Sequence, residues 1–124
     1  MGKIESHRDL IVWQKAMDLA VEIYKLTGRF PKNETYRLVA QLTRAAASVP
    51  ANIAEGHARP RRRDFANFVA IAKGSLMETE TFLMLAMRLK YFSGEEADST
   101  LRLIAEISKM LTALRGRLIT TEAS

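Results

Sequence analysis

The side chains that most often perform acid-base chemistry are scarce in this sequence. It contains two histidines, His7 and His57, and no cysteine, and neither histidine lies in a catalytic or metal-binding motif. Carboxylate metal sites in helical bundles need Glu-x-x-His pairs on two helices, and the sequence has no such pair. P-loop, dinucleotide and nucleophile-elbow motifs are also missing. The sequence therefore predicts a noncatalytic protein with no bound cofactor or metal ion.

Arginine is the side chain with the clearest predicted role. Arg59, Arg61, Arg62 and Arg63 follow one another closely, and 19 Lys and Arg against 14 Asp and Glu give a net charge of +5. A guanidinium group contacts phosphate through two parallel hydrogen bonds, and a dense cluster gains affinity by releasing counterions. These residues therefore predict a surface that binds RNA or structured DNA with low sequence specificity.

Two alternatives to nucleic-acid binding stay open at this point. The arginine run also fits a solvated surface that only keeps the protein soluble. A different class of function is a protein-interaction hub, whose apolar grooves receive a partner and which has no nucleic-acid role.

Phe65 and Phe68 are predicted to lie on the core side of their helix, so stacking of single-stranded bases is not expected.

Four helices are predicted to position these residues. Apolar residues recur at intervals of three and four in four segments that Gly and Pro interrupt, which is the pattern of amphipathic helices. The predicted helices span residues 9–27, 33–55, 61–92 and 94–118, within a single domain of residues 1–124. Asn33 is expected to cap the second helix, and Ser93 with Glu96 to form a capping box at the fourth. Short connections predict an all-α fold, an antiparallel up-down-up-down four-helix bundle.

Such a bundle gathers the start of helix 1, the corner between helices 2 and 3, and the end of helix 4 at one end. This end is predicted to be basic, with Glu5, Asp9, Glu55, Asp64 and Glu122 as a partial offset. The predicted cationic members are Lys3, Arg8, Arg59, Arg61, Arg62, Arg63, Arg115 and Arg117. Six of them, Arg59, Arg61, Arg62, Arg63, Arg115 and Arg117, are the predicted nucleic-acid-binding residues.

Helices 1 and 3 carry more apolar residues than one core requires. In helix 1 one apolar stripe is assigned to the core, which leaves a second apolar stripe beside it. The stripe assigned to the core consists of Leu10, Trp13, Met17, Ala20, Val21 and Tyr24. A helix that is apolar around most of its circumference is buried on more than one side. We therefore predict a homo-oligomer in the form of a closed ring. Its predicted interface residues are Val12, Trp13, Leu19, Ile23 and Met84.

Polar residues of helices 2 and 3 are predicted to be structural. Helix 3 has no Ser, Thr, Asp or Asn immediately before it, so its first amide hydrogens need other partners. Asn52 and Glu55 are expected to supply them. Arg37 and Glu80 are expected to form an ordinary pair between the two helices.

Nothing in the sequence directs the chain to a membrane. The N-terminal residues form no apolar signal segment, and no stretch approaches about 18 uninterrupted apolar residues. We therefore expect a cytoplasmic protein with no membrane partner. A hydrophobic share of 48% in 124 residues is typical of a folded domain with one core.

Three segments resemble a single bacterial family. They are residues 8–17, residues 48–56 with the distinctive ending Asn-Ile-Ala-Glu-Gly, and residues 71–80. The family is that of the four-helix bundle or 23S rRNA intervening-sequence proteins, also called the S23 ribosomal protein family, and the resemblance covers roughly residues 8–118. It implies a four-helix bundle commonly assembled as a homopentamer. The family is also similar to accessory proteins of diversity-generating retroelements, which implies nucleic acid and a reverse transcriptase as partners.

Overall fold

The protein folds into four long helices joined by short corners. The computed structural model describes the backbone of residues 4–123 and the side chains of residues 4–120, so Lys3 and the Glu122 side chain lie outside the described residues. The helices are α1 (Ile11–Thr27), α2 (Leu38–His57), α3 (Arg62–Arg88) and α4 (Gly94–Ala123). Two 3-10 turns, His7–Asp9 and Lys32–Glu34, precede α1 and α2. Residues 4–123 contain no β-strand, which confirms the predicted all-α class.

The helices form a closed antiparallel bundle in which α1 and α3 each pack against α2 and α4. Along the α2 and α3 pair, Arg44 in the first half of α2 lies 4.0 Å from Glu78 in the second half of α3. Gly56 at the end of α2 instead lies against Phe68 near the start of α3. Contacts in this reversed order confirm the predicted four-helix bundle. None of the helices described in residues 4–123 is long and apolar enough to cross a membrane.

One hydrophobic core runs along the axis of the bundle. Each helix buries a stripe of aliphatic side chains in it, and burying one such side chain fully is worth about 1.5–3 kcal/mol. Completely buried large members include Leu19, Ile23, Leu42, Val49, Ile53, Val69, Leu76, Leu83, Ile104, Ile107 and Leu111. The core therefore joins all four helices into a single unit.

The fully buried stripe of α1 is the one that was not assigned to the core, and Leu10, Trp13 and Ala20 of the other stripe pack against the core and are only partly buried. Val12, Leu19 and Ile23 are buried in the chain's own core, so their assignment to an oligomer interface was wrong. Met17 and Tyr24, on the stripe assigned to the core, are exposed. Aliphatic side chains fill a core without any polar atom to satisfy, whereas the phenol of a tyrosine favours contact with water. Both stripes are apolar enough for burial, and neighbouring helices decide between them.

The other two predicted interface residues lie partly or wholly at the surface. Trp13 is half-buried, and its ring packs edge-on against His7 at 5.0 Å between centroids. Met84 on α3 is exposed. Both side chains stay predicted members of a subunit interface.

The corner before α2 is longer than expected. Asn33 lies in the 3-10 turn Lys32–Glu34, and α2 begins at Leu38 without a side-chain cap on Arg37. The predicted start at residue 33 was therefore wrong. Pro31 precedes this turn, and the backbone bond from the Glu34 amide to the Pro31 carbonyl closes it at 2.9 Å. The chain therefore forms a separate 3-10 turn at residues 32–34, with the Glu34 and Thr35 amides bonded to the carbonyls three residues before them, and α2 starts only after this turn.

The start of α4 has the predicted capping box. The Glu96 amide donates to Ser93 Oγ at 3.1 Å, and the Ser93 amide donates to Glu96 Oε1 at 2.9 Å. Glu96 also forms an ion pair with Arg29 just after α1. The box therefore fixes the third corner and ties it to the first.

The end of α3 holds a lysine in the left-handed conformation. Lys90 has φ = 64°, and the Tyr91 amide donates to the Ala86 carbonyl while the Lys90 amide donates to that of Met87. This pair of bonds is the Schellman motif, whose left-handed position is usually glycine. The helix therefore ends at Arg88 and not at the predicted residue 92.

Replacing Lys90 with glycine should stabilise the protein. Glycine adopts the left-handed region without a steric penalty, so we expect the free energy of unfolding to rise by about 1 kcal/mol. Urea unfolding followed by circular dichroism measures the change. Lys90→Ala keeps the strained backbone and serves as the control, so equal stability of the glycine and alanine variants would contradict this account.

A buried glutamate connects the first and third corners. The Tyr91 hydroxyl donates to Glu34 Oε2 at 2.5 Å, and the Leu38 amide donates to Glu34 Oε1 at 3.4 Å. The hydrogen bond from Tyr91 lowers the pKa of Glu34, and the same bond raises the pKa of Tyr91. Glu34 thus stabilises the start of α2 and holds it against the corner that follows α3.

This pair should make stability depend on pH at both extremes. The contribution of Glu34 is present above the pKa of an unfolded glutamate and is lost as the pH falls through its lower folded value. The contribution of Tyr91 is present below the pKa of an unfolded tyrosine and is lost as the pH rises through its raised folded value. We expect Tyr91→Phe to have a lower urea midpoint than the parent at neutral pH. In acid the midpoints of the two proteins should become more similar. A difference that is constant across the acid range would contradict this coupling.

Candidate nucleic-acid interface

The fold gathers three distant segments at one end of the bundle. The turn His7–Asp9 packs against α2, and Arg62 Nη2 donates to the Arg117 carbonyl at 3.3 Å, which connects α3 to the last turns of α4. The arginines of this end are all exposed and form what we call the basic end: Arg8, Arg59, Arg61, Arg62, Arg63, Arg115 and Arg117. Glu5, Asp9, Glu55 and Asp64 are the carboxylates described in the same segments. Cations therefore outnumber carboxylates at this end.

Two arginines of the corner between α2 and α3 have local carboxylate partners. Arg59 Nη2 lies 2.9 Å from Glu55 Oε2, and Arg61 Nε lies 3.1 Å from Asp64 Oδ2. All four side chains are partly or largely exposed, and such pairs contribute only about 0–1 kcal/mol to stability. The pairs therefore orient the guanidinium groups and leave other N–H donors of each arginine for a phosphate.

Arg115 lies on a different side of the basic end, in a groove of about 560 Å³ between α3 and α4. Lys73 lines the same groove, where its Nζ donates to Thr112 Oγ1 at 2.6 Å. The residues lining the groove include no carboxylate, and Arg115 has no ion-pair partner among the described side chains. Positive charge therefore continues from the corner along the α3–α4 groove.

Arg117 faces away from that groove, although its backbone contacts Arg62. Its side chain lines a second, largely apolar groove with Asp9, Leu10 and Leu114. Each residue rotates the direction of the side chain by about 100° around the helix axis, so residues two apart lie on nearly opposite sides of a helix. Arg115 and Arg117 therefore extend the basic end over two sides of α4.

Asn52 and Glu55 do not stabilise the first turn of α3. Asn52 Nδ2 donates to the carbonyl and hydroxyl oxygens of Ser48 at 2.8 and 2.9 Å, and Ser48 Oγ lies 2.8 Å from Ser75 Oγ on α3. Glu55 pairs with Arg59. The predicted capping role was wrong, because Ser48 on α2 holds the Asn52 side chain and Arg59 in the following corner holds that of Glu55. Asn52 instead supports a polar contact between α2 and α3.

The predicted contact between Arg37 and Glu80 does not form. Arg37 precedes the first turn of α2, and its Nε lies 3.7 Å from Glu34 Oε1. The observed ion pair between α2 and α3 joins Arg44 to Glu78. The prediction failed because α2 begins later than the sequence pattern indicates, which leaves Arg37 in the corner.

The sequence pattern did not predict that an aromatic side chain, Phe68, lies at the basic end. Phe68 is half-buried, and the Arg59 guanidinium carbon lies 4.9 Å from the centre of its ring. Phe65 is also half-buried and meets His57 edge-on at 5.6 Å. The signal was available, because Phe68 is seven residues after Arg61 and such residues share a helix face. The prediction that aromatic side chains are absent from the arginine surface was therefore wrong.

The remaining titratable groups at this end show no metal-binding arrangement. Within the described residues, no group of three His, Cys, Asp or Glu side chains is close enough to hold a metal ion. His7 and His57 instead pack against the rings of Trp13 and Phe65. Asp9 accepts the amide hydrogens of Glu5 and Ser6 at 2.9 and 3.1 Å, and these hydrogen bonds lower its pKa. The titratable side chains named here thus serve local packing and capping.

Comparison with known proteins identifies the family. A family model described as 23S rRNA-intervening sequence protein matches residues 8–113. A solved structure from Bacteroides thetaiotaomicron, described as a protein with unknown function from the S23 ribosomal protein family, is 30% identical and has a TM-score of 0.76. The match covers 85% of this chain and 98% of that one. No curated protein matches. The chain belongs to the 23S rRNA-intervening sequence protein family.

Proposed function

We propose that this protein is a noncatalytic, homo-oligomeric helical scaffold that binds nucleic acid, RNA or structured DNA, through its basic end. The observation that carries the proposal is the gathering of exposed arginines from three separate segments at one end of the bundle. The family description refers to 23S rRNA, which supports RNA as a ligand. Arg59 and Arg61 are held by exposed, weak ion pairs, which leave their other N–H donors available for phosphate groups.

The chemistry of the basic end favours contacts to the nucleic-acid backbone. Guanidinium groups bind phosphate oxygens through two hydrogen bonds, and phosphate contacts position a protein without reading sequence. Binding should therefore differ little between unrelated sequences. It should also fall steeply with salt, because each neutralised phosphate releases condensed counterions.

Fluorescence anisotropy of a labelled RNA hairpin and a labelled DNA duplex across a salt series tests the proposal. Each phosphate contact should contribute about −0.9 to the slope of log affinity against log salt for a duplex. Two hairpins of unrelated sequence should bind with similar affinities. Absence of binding at a low salt concentration, about 50 mM, would overturn the proposal.

Exposed apolar residues support the oligomeric part of the proposal. Met17, Val21 and Tyr24 form an exposed stripe on α1, and Ile71 and Leu85 are exposed on α3. In a ring, every protomer would present its basic end, and several weak phosphate contacts would act together on one nucleic acid. A pentamer, implied by the family resemblance, is our specific proposal for this ring.

A charged residue in the exposed stripe of α1 should break the assembly. Val21→Glu places an unpaired charge where we expect a subunit contact, so we predict dissociation of the oligomer without loss of helix content. Light scattering coupled to size exclusion measures the mass, and Lys109→Glu on α4 is a control of similar size. A parent protein with the 14.0 kDa mass of a monomer at micromolar concentration would contradict the proposal.

The α3–α4 groove supports a second candidate function, a protein-interaction hub. Its lining is largely apolar, with Val69, Met77 and Leu111, and carries Lys73 and Arg115, which suits a partner segment with apolar and acidic residues. A reverse transcriptase is the protein partner that the retroelement resemblance proposes. Affinity purification before and after nuclease treatment separates the two functions. Partners retained after nuclease support the hub, and partners lost with the nucleic acid support the basic scaffold.

A further inference from the structure

A small pocket opens on the surface of the corner between α2 and α3. It has a volume of about 310 Å³ and is lined by Arg59, Arg61, Asp64, Asn67 and Phe68. We name it the corner pocket. It combines an aromatic ring, two cations, an amide and one carboxylate, that of Asp64, which is paired with Arg61.

The first wall of the corner pocket is a cation–π pair. The Arg59 guanidinium lies over the Phe68 ring, 4.9 Å from its centre, and Glu55 Oε2 holds Arg59 Nη2 at 2.9 Å. The Phe68 backbone is fixed because its Cβ lies directly against the Cα of Gly56, where no further carbon fits. Guanidinium planes and aromatic rings are both surfaces on which an unpaired base stacks. This platform is therefore in place before any ligand arrives.

The other walls offer the polar groups that a nucleotide requires. Arg61 is largely exposed and uses its Nε for Asp64, so its terminal N–H groups can bind a phosphate. Asn67 is exposed beside the ring, and its amide can both donate to and accept from the edge of a base. An amide that does both tolerates several bases, which agrees with low sequence specificity.

We propose that the corner pocket binds one unpaired nucleotide, with its base stacked on the Arg59 and Phe68 platform and its phosphate held by Arg61. This inference rests on the proposed nucleic-acid function and deepens it. A base inside a duplex cannot reach the platform, because both of its faces are covered by neighbouring base pairs. The protein therefore prefers structured nucleic acid that exposes an unpaired base, such as a loop or a bulge, over a continuous duplex.

Arg59→Lys tests the platform because it keeps the charge and removes the plane. The probes are a fluorescein-labelled single-stranded RNA of about 12 nucleotides and the same strand annealed to its complement. We expect the ratio of single-strand to duplex affinity to fall about 10-fold, since stacking of one base is lost. Arg88→Lys, at the far end of α3, should leave the ratio at its parental value.

Two further variants keep the test independent of folding. Phe68→Leu retains the Cβ that contacts Gly56 and removes the ring, and Phe82→Leu is its control on the same helix. Asn67→Ala changes an exposed side chain and should lower the same ratio by about 3-fold. A parent that prefers the duplex, or ratios that stay unchanged in the Arg59 and Phe68 variants, would overturn the corner pocket while leaving salt-dependent binding intact. A parent that binds neither RNA overturns the proposed function itself.

Discussion

Gly56→Ala should destabilise the protein by about 2–3 kcal/mol, although alanine is the better helix former. A Cβ at this position would lie 2.5 Å from Phe68 Cβ and 3.0 Å from Phe65 Cδ1. It would also lie 3.3 Å from the Phe65 carbonyl oxygen. Neither a Cβ nor a backbone carbonyl can rotate away, so α2 and α3 must separate. That separation would spread the corner that positions Arg59 and Phe68.

Gly74→Ala is the matched control for this prediction. Gly74 is also in a helix interior, on α3, and a Cβ there would meet nothing within 4 Å. Its replacement should raise the free energy of unfolding by about 0.5–1 kcal/mol through helix propensity alone. Urea unfolding of both variants measures the difference. Equal changes at Gly56 and Gly74 would show that α2 and α3 do not approach as closely as described.

Reversing three charges of the basic end should weaken nucleic-acid binding by about 100-fold or more at moderate salt. The variant is Arg61→Glu, Arg62→Glu and Arg63→Glu. Removing three phosphate contacts should also lower the salt slope by about 3. The helix itself should tolerate the change, because Arg62 and Arg63 open α3 and carboxylates are favoured at a helix N-terminus.

A second triple variant at the opposite end separates local contacts from net charge. Lys25, Lys32 and Lys90 are exposed and lie at the end of α1, in the first corner and after α3. Their replacement by glutamate changes the net charge by the same amount as the arginine variant. We expect it to reduce affinity by about 3-fold, since only long-range attraction is lost. Equal losses in the two triple variants would contradict a binding surface at the basic end.

The bundle could be predicted from the sequence because its signals are local. Apolar spacing marks each helix, and the capping box of Ser93 and Glu96 uses residues three apart. The buried side of α1 could not be predicted in this way. Both of its stripes are apolar, and the packing of α2 and α4 against Val12, Leu19 and Ile23 decides which one forms the core.

The candidate site was also predictable only where its signals are local in the sequence. The arginines of residues 59–63 are close in sequence, and the short corners of an antiparallel bundle place Arg117 near them. Contacts between residues distant in sequence were missed elsewhere in the bundle, such as the hydrogen bond from Tyr91 to Glu34 across 57 positions at the opposite end. The position of Phe68 under Arg59 was missed because the residue was assigned wholly to the core. Its Cβ lies against Gly56 of α2, while its ring lies under Arg59 and lines the corner pocket.

Ultraviolet crosslinking of the protein to a labelled RNA hairpin, followed by peptide mapping, tests the central claim most directly. The account predicts crosslinks within residues 59–68 and near residues 115–117, and their loss in the triple arginine variant. Crosslinks confined to the opposite end, around Lys25, Lys32 and Lys90, would contradict it.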